Sequence, residues 1–363
     1  MRILSFSSCV AIALLMSGCS GPEPAAEDFI DSSFVTAVLV HPQQIQEMPN
    51  FDSIRTMINA AGGAQIEELK KATNIDPFKI QRVLIVMGPD AEADAAAIVQ
   101  FGDAVNVGEI NKTLPPNVKT ATHNGKDYYQ FGMPGSEQAA HFATSKTLLF
   151  GTESAVKKML DAKPGDSPLK KLLAGADASK DISIVASTSA IGSLAAQIPG
   201  AAAPEQAEMF KKVNSVQVEL DLSSDEFVRA VITFDSAETA DMVSAMTHAG
   251  LKEVKEAMNS PEAAAAGPAA MMPGPMADIG KELANGATIE QSGEVLTVRL
   301  ARPSALDNIQ ELIGGVMAMA MGMQGGGGLP APDAGPGPGF GPGEPADVPA
   351  AEPAEEPAGE PAE

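Results

Sequence analysis

Short β-branched runs alternate with amphipathic stretches from residue 29 to residue 323, and this alternation constrains the fold more than any other feature of the sequence. Runs of roughly four to eight residues between turn-forming residues are typical of strands, and the longer stretches are typical of helices. Twelve runs are predicted to be strands: 34–40, 82–87, 95–101, 119–121, 127–131, 139–144, 147–150, 181–187, 215–222, 227–234, 288–291 and 295–301.

Antiparallel pairing is predicted by two tight-turn dipeptides. Asn124-Gly125 and Ser292-Gly293 each lie between two strand candidates, where they favour two-residue hairpin loops. We therefore predict an α+β fold with a mainly antiparallel sheet and helices packed on one face of it.

Three helices have recognisable starts. Thr152 precedes an acidic and then a basic residue, residues 235–238 read D-x-x-E, and Ser304 precedes an apolar stretch that reaches residue 316. For the helix after residue 235, spacings of three and four predict a stripe on one helical face that packs on the sheet: Val243, Met246, Gly250, Val254 and Met258.

The strand candidates fall into two sets with the same order of elements. One set lies in residues 31–170 and the other in 171–323, and the hairpin at 119–131 matches the hairpin at 288–301. We predict a duplicated β-α-β-β-α-β-β-α unit. The Pro-, Ala-, Gly- and Met-rich segment 260–275 is predicted to be a surface loop of the second unit.

Composition and charge restrict the classes of partner. Hydrophobic residues make up 44% of the chain and aromatic residues 4%, with 18 Met and no Trp, so the core is built from aliphatic and thioether side chains. The formal net charge of -23 repels phosphate backbones and anionic headgroups, which excludes nucleic acid as an expected partner.

The two cysteines, Cys9 and Cys19, both lie in the first twenty residues. The body of the chain therefore has no disulfide, no thiolate metal site and no thiol nucleophile. This removes several classes of enzyme.

The N-terminus has the pattern of an export signal. Arg2 precedes an apolar stretch too short to be a permanent span, and the stretch ends in Met16-Ser17-Gly18-Cys19. This motif resembles the lipobox of bacterial lipoproteins, although Met16 stands where Leu is usual. The resemblance covers only the leader, and the alternative is an ordinary secretory signal with a chance cysteine.

The lipoprotein resemblance implies where the protein resides. Residues 1–18 would be a cleaved signal peptide, and Cys19 would carry acyl chains such as palmitate that hold residues 19–30 as a tether at a membrane. Lipoproteins of the inner membrane often carry Asp after the cysteine, whereas this chain has Ser20. The resemblance therefore implies an outer-membrane location facing the periplasm.

Residues 324–363 are predicted to be a disordered tail. They are rich in Gly, Pro, Ala and Glu and contain neither Lys nor Arg, so they bury too little apolar area to offset the entropy of ordering. A solvated acidic brush is the simplest interpretation, and bait for a basic partner is the alternative.

Residues that usually mark catalysis or metal binding are scattered. His41, His123, His141 and His248 are never three or four apart, and no G-x-S-x-G or G-x-G-x-x-G motif follows a strand. The segment from Gly274 to Lys281 differs from a phosphate loop in its spacing and in the acid that follows the lysine. No cofactor is expected.

One pattern has a specific metal-binding interpretation, and its residues are Met317, Met319, Met321 and Met323. Thioether sulfur suits Cu(I), but residues two apart do not share a helical face, so these sulfurs converge only in an unwound segment. The alternative is that they complete the last helix as packing residues.

The sequence indicates a non-enzymatic, lipid-anchored envelope protein that acts by binding or scaffolding, with an envelope protein as its expected partner. The body resembles uncharacterised exported bacterial α/β proteins in the segment 150–156. The alternatives are a carrier or sensor of an apolar ligand, Cu(I) binding, and an unrecognised hydrolase.

Replacing Cys19 by Ser should abolish incorporation of labelled palmitate and release the chain from the membrane fraction, because acylation of this motif begins at the cysteine thiol. Metabolic labelling and fractionation of cells measure both effects. Cys9→Ser is the matched control and should keep the label. Palmitate on the Cys19→Ser chain would contradict the assignment.

Overall fold

The computed structural model describes residues 24–308, apart from 49–50, 74, 91–92, 116, 133–136, 164–166, 192–203 and 261–273. All twelve predicted runs are strands. They are β1 (Thr36–Val40), β2 (Ile80–Met87), β3 (Ala95–Phe101), β4 (Lys119–His123), β5 (Lys126–Phe131), β6 (Gln138–Phe142), β7 (Thr147–Thr152), β8 (Ile182–Ser187), β9 (Val213–Leu220), β10 (Glu226–Phe234), β11 (Thr288–Ser292) and β12 (Val295–Ala301).

The strands form one sheet in the order β11-β12-β10-β9-β8-β1-β2-β3-β7-β6-β5-β4, with every neighbouring pair antiparallel. The predicted α+β fold with a mainly antiparallel sheet is confirmed. The two sets of strands meet at the pair of β1 and β8, where Val38 lies opposite Ile184. β4 and β11 are the two edges.

The helices connect the strands and cover parts of the sheet. They are α1 (Pro42–Gln46), α2 (Phe51–Thr73), α3 (Val107–Thr113), α4 (Glu153–Asp161), α5 (Pro168–Ala174), α6 (Pro204–Lys211), α7 (Ala237–Asn259) and α8 (Gly274–Gly286), with short 3₁₀ helices at Ala26–Phe29, Pro77–Lys79 and Ser304–Asn308. In the described part of the chain, no helix is both long enough and apolar enough to cross a bilayer.

The helices lie on one face of the sheet in its second half and on both faces in its first half. α4, α5 and the 3₁₀ helix Ala26–Phe29 pack on one face of the first half, against Leu84, Ile98 and Leu149. Ile110 of α3 packs on the opposite face, against Phe101 and Leu148. The prediction of helices on one face therefore describes the second half, where α6 and α7 cover the same face as α3.

The duplication is visible in the order of strands on either side of the central pair. Going outwards, β2, β3, β7 and β6 follow β1, and β9, β10, β12 and β11 follow β8. The hairpin of β11 and β12 thus occupies the position of β6 and β7. The sequence match of hairpin 288–301 to hairpin 119–131 was wrong in this respect, because β4 and β5 are an additional hairpin at the outer end of the first half.

Local sequence signals account for the turns and helix starts. Asn124 and Gly125 have φ values of 50° and 78°, which a type I′ hairpin loop requires, and Gly293 has a φ of 58° in the second predicted hairpin. The Thr152 hydroxyl accepts a hydrogen bond from Ala155 N at 3.3 Å. The cap of α7 is Ser236, one residue after the predicted Asp235, because the Ser236 hydroxyl accepts from Thr239 N.

α7 presents a different arc to the sheet from the one predicted. Ala240 is fully buried and Val243 packs against the core of the second half, whereas Met246 and Val254 are 51% and 45% exposed. Apolar residues occupy so much of the circumference of this helix that spacing alone admits two stripes. Contact with β10, β11 and β12 selects the stripe through Ala240 and Val243.

Several predictions concern residues outside the described part of the chain. These are the signal peptide at 1–18 with Cys19, most of the loop at 260–275, the last helix beyond residue 308, the methionine cluster and the tail at 324–363. They remain predictions.

Polar contacts fix the start of α4 to the sheet. Glu153 accepts hydrogen bonds from Tyr128 Oη at 2.6 Å and Gln130 Nε2 at 2.7 Å, and Lys157 Nζ lies 2.6 Å from the same carboxylate. Lys157 and these donors hold the pKa of Glu153 below its ordinary value. The ionised form is therefore the one that the fold stabilises.

Because the pKa of Glu153 is lower in the folded chain than in the unfolded chain, its contribution to stability is present above the unfolded value and is lost as the pH falls through the folded value. Urea unfolding between about pH 5 and about pH 3 should show a smaller loss of stability in Glu153→Gln than in the parent chain. Glu109→Gln, which removes an exposed ion pair with Lys112, is the control and should follow the parent. Identical pH profiles for Glu153→Gln and the parent would contradict this role.

Gly151 allows β7 and β3 to approach closely. A Cβ atom at this position would lie 2.4 Å from the Ala95 carbonyl oxygen, a distance that the backbone cannot accept without moving. Gly151→Ala should lower the free energy of unfolding by about 1–3 kcal/mol. Gly250 on α7 is the control, because a Cβ atom added there would meet nothing within 4 Å, and Gly250→Ala should raise stability by about 0.5–1 kcal/mol in the same urea titration.

Candidate functional site

One face of the sheet is apolar across its whole width. Residues directly opposite each other in antiparallel pairs share a face, so the strand registers trace rows across the sheet. The middle row of this face has one polar member, Thr120 at the edge, and runs Thr120, Tyr129, Ala140, Phe150, Ala97, Ile85, Val38, Ile184, Val218, Ala230, Val298 and Ile289. We call this the apolar face.

The opposite face, which we call the mixed face, changes character at the central strands. Its middle row is apolar from Ala139 to Val185 and polar at both ends: Lys119, Gln130, Ala139, Gly151, Ala96, Val86, Ala37, Val185, Gln217, Val231, Thr297 and Glu290. The polar part of the second half suits contact with water, and the apolar part lies under α4 and α5. The two faces therefore have different roles.

The central strands are sealed on the mixed face and incompletely covered on the apolar face. Leu84, Val86 and Val185, on the mixed face of β2 and β8, are all 0% exposed. On the apolar face of the same strands, Val83, Ile85, Met87, Ile182 and Ile184 keep partial contact with solvent, whereas Ala186 near the end of β8 is buried. We define the central apolar patch as the partly exposed residues of six adjacent strands on this face: Val38, Val40, Val83, Ile85, Met87, Ile182, Ile184, Val216, Val218, Leu220, Val228, Ala230, Ile232, Val298 and Leu300.

Helices cover the two ends of the apolar face. On the first half, Ile110 of α3 packs over Phe101 and Leu148, and on the second half Ala240 of α7 packs over Leu296. The six strands of the patch span about 24 Å at a spacing of about 4.8 Å between strands. This span is long enough for an extended apolar molecule.

A polar rim borders the patch at one end of its strands. Asp181, just before β8, is 5% exposed and accepts a hydrogen bond from Leu222 N at 2.7 Å. Lys180 lies 3.1 Å from Asp221, and Arg302 Nε donates to the Leu222 carbonyl at 2.9 Å. Burial raises the pKa of Asp181 above its ordinary value. These contacts tie the ends of β8, β9 and β12 together.

The buried carboxylate of Glu219 lies on the mixed face and is fully engaged in structural contacts. Only 2% of Glu219 is exposed, and it accepts hydrogen bonds from Gln217 Nε2 at 2.6 Å and Asp177 N at 3.0 Å. Arg229 NH1 is 3.4 Å away and supplies the opposite charge. This group fixes the connection from α5 to β8 against β9.

The four histidines occupy separate places. His41 and His141 use Nδ1 to contact the carbonyl oxygens of Lys180 and Asp127, and burial lowers the pKa of His141. His123 contacts Asp161 at 2.8 Å, and His248 contacts the carbonyl one turn earlier in α7. Across the described residues, no three His, Cys, Asp or Glu side chains come together as a metal site.

The site residues named from the sequence lie outside the described residues. These are Cys19, for lipidation, and the weaker candidates for Cu(I), Met317, Met319, Met321 and Met323. The sequence analysis did not identify the residues of the central apolar patch. The sequence did carry a usable signal for it. β2 is a continuous apolar run and β9 alternates between apolar and polar residues, so the face on which both strands are apolar is the apolar face.

No family model matches this chain, and no curated protein matches it. Two solved structures, crystal forms I and III of a protein named TP0453, are each 8% identical to it. Crystal form I has a TM-score of 0.42 and the match covers 78% of this chain and 95% of that one. For crystal form III the TM-score is 0.40, with 82% and 99% covered. Likeness at this level establishes nothing about function.

Proposed function

We propose that this protein is a lipid-anchored envelope protein that binds an apolar ligand on the central apolar patch, without catalysis. The observation that carries the proposal is the contrast between the two faces of the same strands. Leu84 and Val86 are completely buried on the mixed face, whereas Val83, Ile85 and Met87 on the apolar face remain partly exposed.

Hydrophobic energetics support binding at this surface. Burial of apolar area stabilises a complex by roughly 25 cal/mol per Å², and monomeric proteins seldom leave a contiguous apolar patch without a partner. The patch is continuous over six neighbouring strands because paired positions such as Ile184, Val218 and Ala230 follow one another across the sheet. A ligand laid across the strands therefore meets aliphatic side chains along its whole length.

Charge narrows the class of ligand. The net charge of -23 disfavours strongly anionic molecules and nucleic acid, so a neutral apolar molecule is the expected occupant. The leader resemblance supports a place of action at the inner surface of the outer membrane, with Cys19 as the attachment point. An envelope protein that delivers or receives this ligand is the expected partner.

Two isosteric substitutions test the patch. Val218→Thr with Val298→Thr places two hydroxyl groups on the apolar face while keeping β-branched side chains in the strands. We expect about a tenfold loss of affinity for a neutral naphthylamine probe, since a buried hydroxyl without a partner costs on the order of 1 kcal/mol. Probe fluorescence with the full-length Cys19→Ser chain measures the affinity.

The matched control is Val231→Thr with Val295→Thr, two partly exposed valines on the mixed face of β10 and β12. This control should bind the probe as the parent does. Absence of probe binding by the parent chain, or equal losses in the two double variants, would refute the proposed surface. Urea unfolding of both variants checks that they are folded.

A further inference from the structure

A separate cavity of about 290 Å³ lies at the end of β3, beside the segment between α2 and β2. Its floor is apolar and almost fully buried, with Ile75, Phe101 and Val105 at 2%, 4% and 7% exposure. The volume is near the lower limit of small-molecule pockets, roughly 300 Å³. None of its lining residues belongs to the central apolar patch.

The rim of the cavity carries two cations and two anions. Lys70 lies 3.2 Å from Asp76, and Lys79 lies 2.6 Å from Asp103. The hydrogen bond between the second pair raises the pKa of Lys79 and lowers the pKa of Asp103, so both groups are ionised around neutral pH. The rim is therefore neutral overall and consists of two ion pairs beside an apolar floor.

Backbone contacts hold the rim in place. Gly102 N donates to the Lys79 carbonyl at 3.1 Å, and Val105 N donates to the Ser145 carbonyl at 2.8 Å. The Asp76 side chain accepts from Phe78 N at 3.0 Å. The charged groups thus stand on a fixed frame, which lowers the entropy cost of binding a small molecule.

We infer that this cavity binds a small zwitterion with an apolar substituent, of the class of α-amino acids with apolar side chains. A carboxylate of the ligand would meet Lys79, its ammonium group would meet Asp103, and its side chain would rest on Ile75 and Phe101.

Charge balance favours a zwitterion over a simple ion. A single anion or cation gains an interaction with only one member of the pair that it opens, whereas a zwitterion gains an interaction with both members. Lys79 and Asp103 are 62% and 74% exposed, and an ion pair in water contributes little, so the pair opens at low cost. The apolar floor then distinguishes an apolar side chain from a polar one.

The experiment is a thermal-shift and calorimetric titration of the full-length Cys19→Ser chain with leucine at millimolar concentrations. We expect saturable binding of leucine, and at least tenfold weaker binding of N-acetyl-leucine and of leucinamide, which lack one charge each. Glycerophosphoethanolamine has both charges without the apolar substituent and should also bind at least tenfold more weakly. Binding of any of these three compounds with an affinity within tenfold of that of leucine would overturn the assignment.

Paired substitutions locate the site. Lys79→Ala with Asp103→Ala removes one neutral pair and should abolish leucine binding, with an unchanged circular dichroism spectrum because both side chains are exposed. Glu109→Ala with Lys112→Ala removes an equally exposed pair on α3 and should leave binding unchanged. Leucine binding that survives the first variant, or no binding by the parent chain, would refute the site.

The double variant Val218→Thr with Val298→Thr should retain leucine binding, because the cavity and the central apolar patch share no residue. Probe binding at the patch and leucine binding at the cavity are therefore tested independently of each other.

Discussion

The pairing of β1 with β8 is the contact on which the whole architecture depends. It joins Thr36–Val40 to Ile182–Ser187 and turns two sheets of similar order into one sheet of twelve strands. These strands are far apart in the chain, so their pairing has a high entropy cost that local contacts cannot offset. This entropy cost is compensated by burial of apolar side chains on the mixed face beside the pair, where Ala37 and Val185 are 0% exposed.

The two faces of the sheet are covered to different extents. On the mixed face, Ala96 and Ala139 belong to the same core cluster as Ala155 and Val156 of α4, and Glu153 fixes the start of that helix. On the apolar face, helices cover the ends of the sheet and leave the middle partly exposed. A sheet that is rigid on one side is a suitable platform for a ligand on the other, because little reorganisation is needed on binding.

The strands could be predicted from the sequence because their apolar and β-branched runs are short, regular and bounded by turn residues. The antiparallel fold and both hairpin turns followed from Asn124-Gly125 and Ser292-Gly293. The order of strands across the sheet could not be predicted, since local patterns carry no information on which distant strand becomes a neighbour. For this reason, the β11–β12 hairpin was matched to the wrong hairpin of the first half.

Helix orientation and the candidate site were harder to predict for a related reason. α7 is apolar over too much of its circumference for periodicity to identify its packed side, and Met246 was assigned to the wrong arc. The central apolar patch exists because the helices leave the middle of the apolar face partly exposed. Which residues stay exposed is a property of the assembled sheet and not of any one strand. Charge pairs such as Lys79 and Asp103 are 24 residues apart and meet only because the connections before β2 and after β3 lie together.

The composition of the two edge strands has a consequence for self-association. β4 reads Lys-Thr-Ala-Thr-His and β11 reads Thr-Ile-Glu-Gln-Ser, so each edge is five residues long and mostly polar. Short polar edges discourage a neighbouring molecule from adding its own strand to the row of unpaired amides. A long, otherwise aliphatic sheet can thereby be kept at high local concentration without polymerising edge to edge.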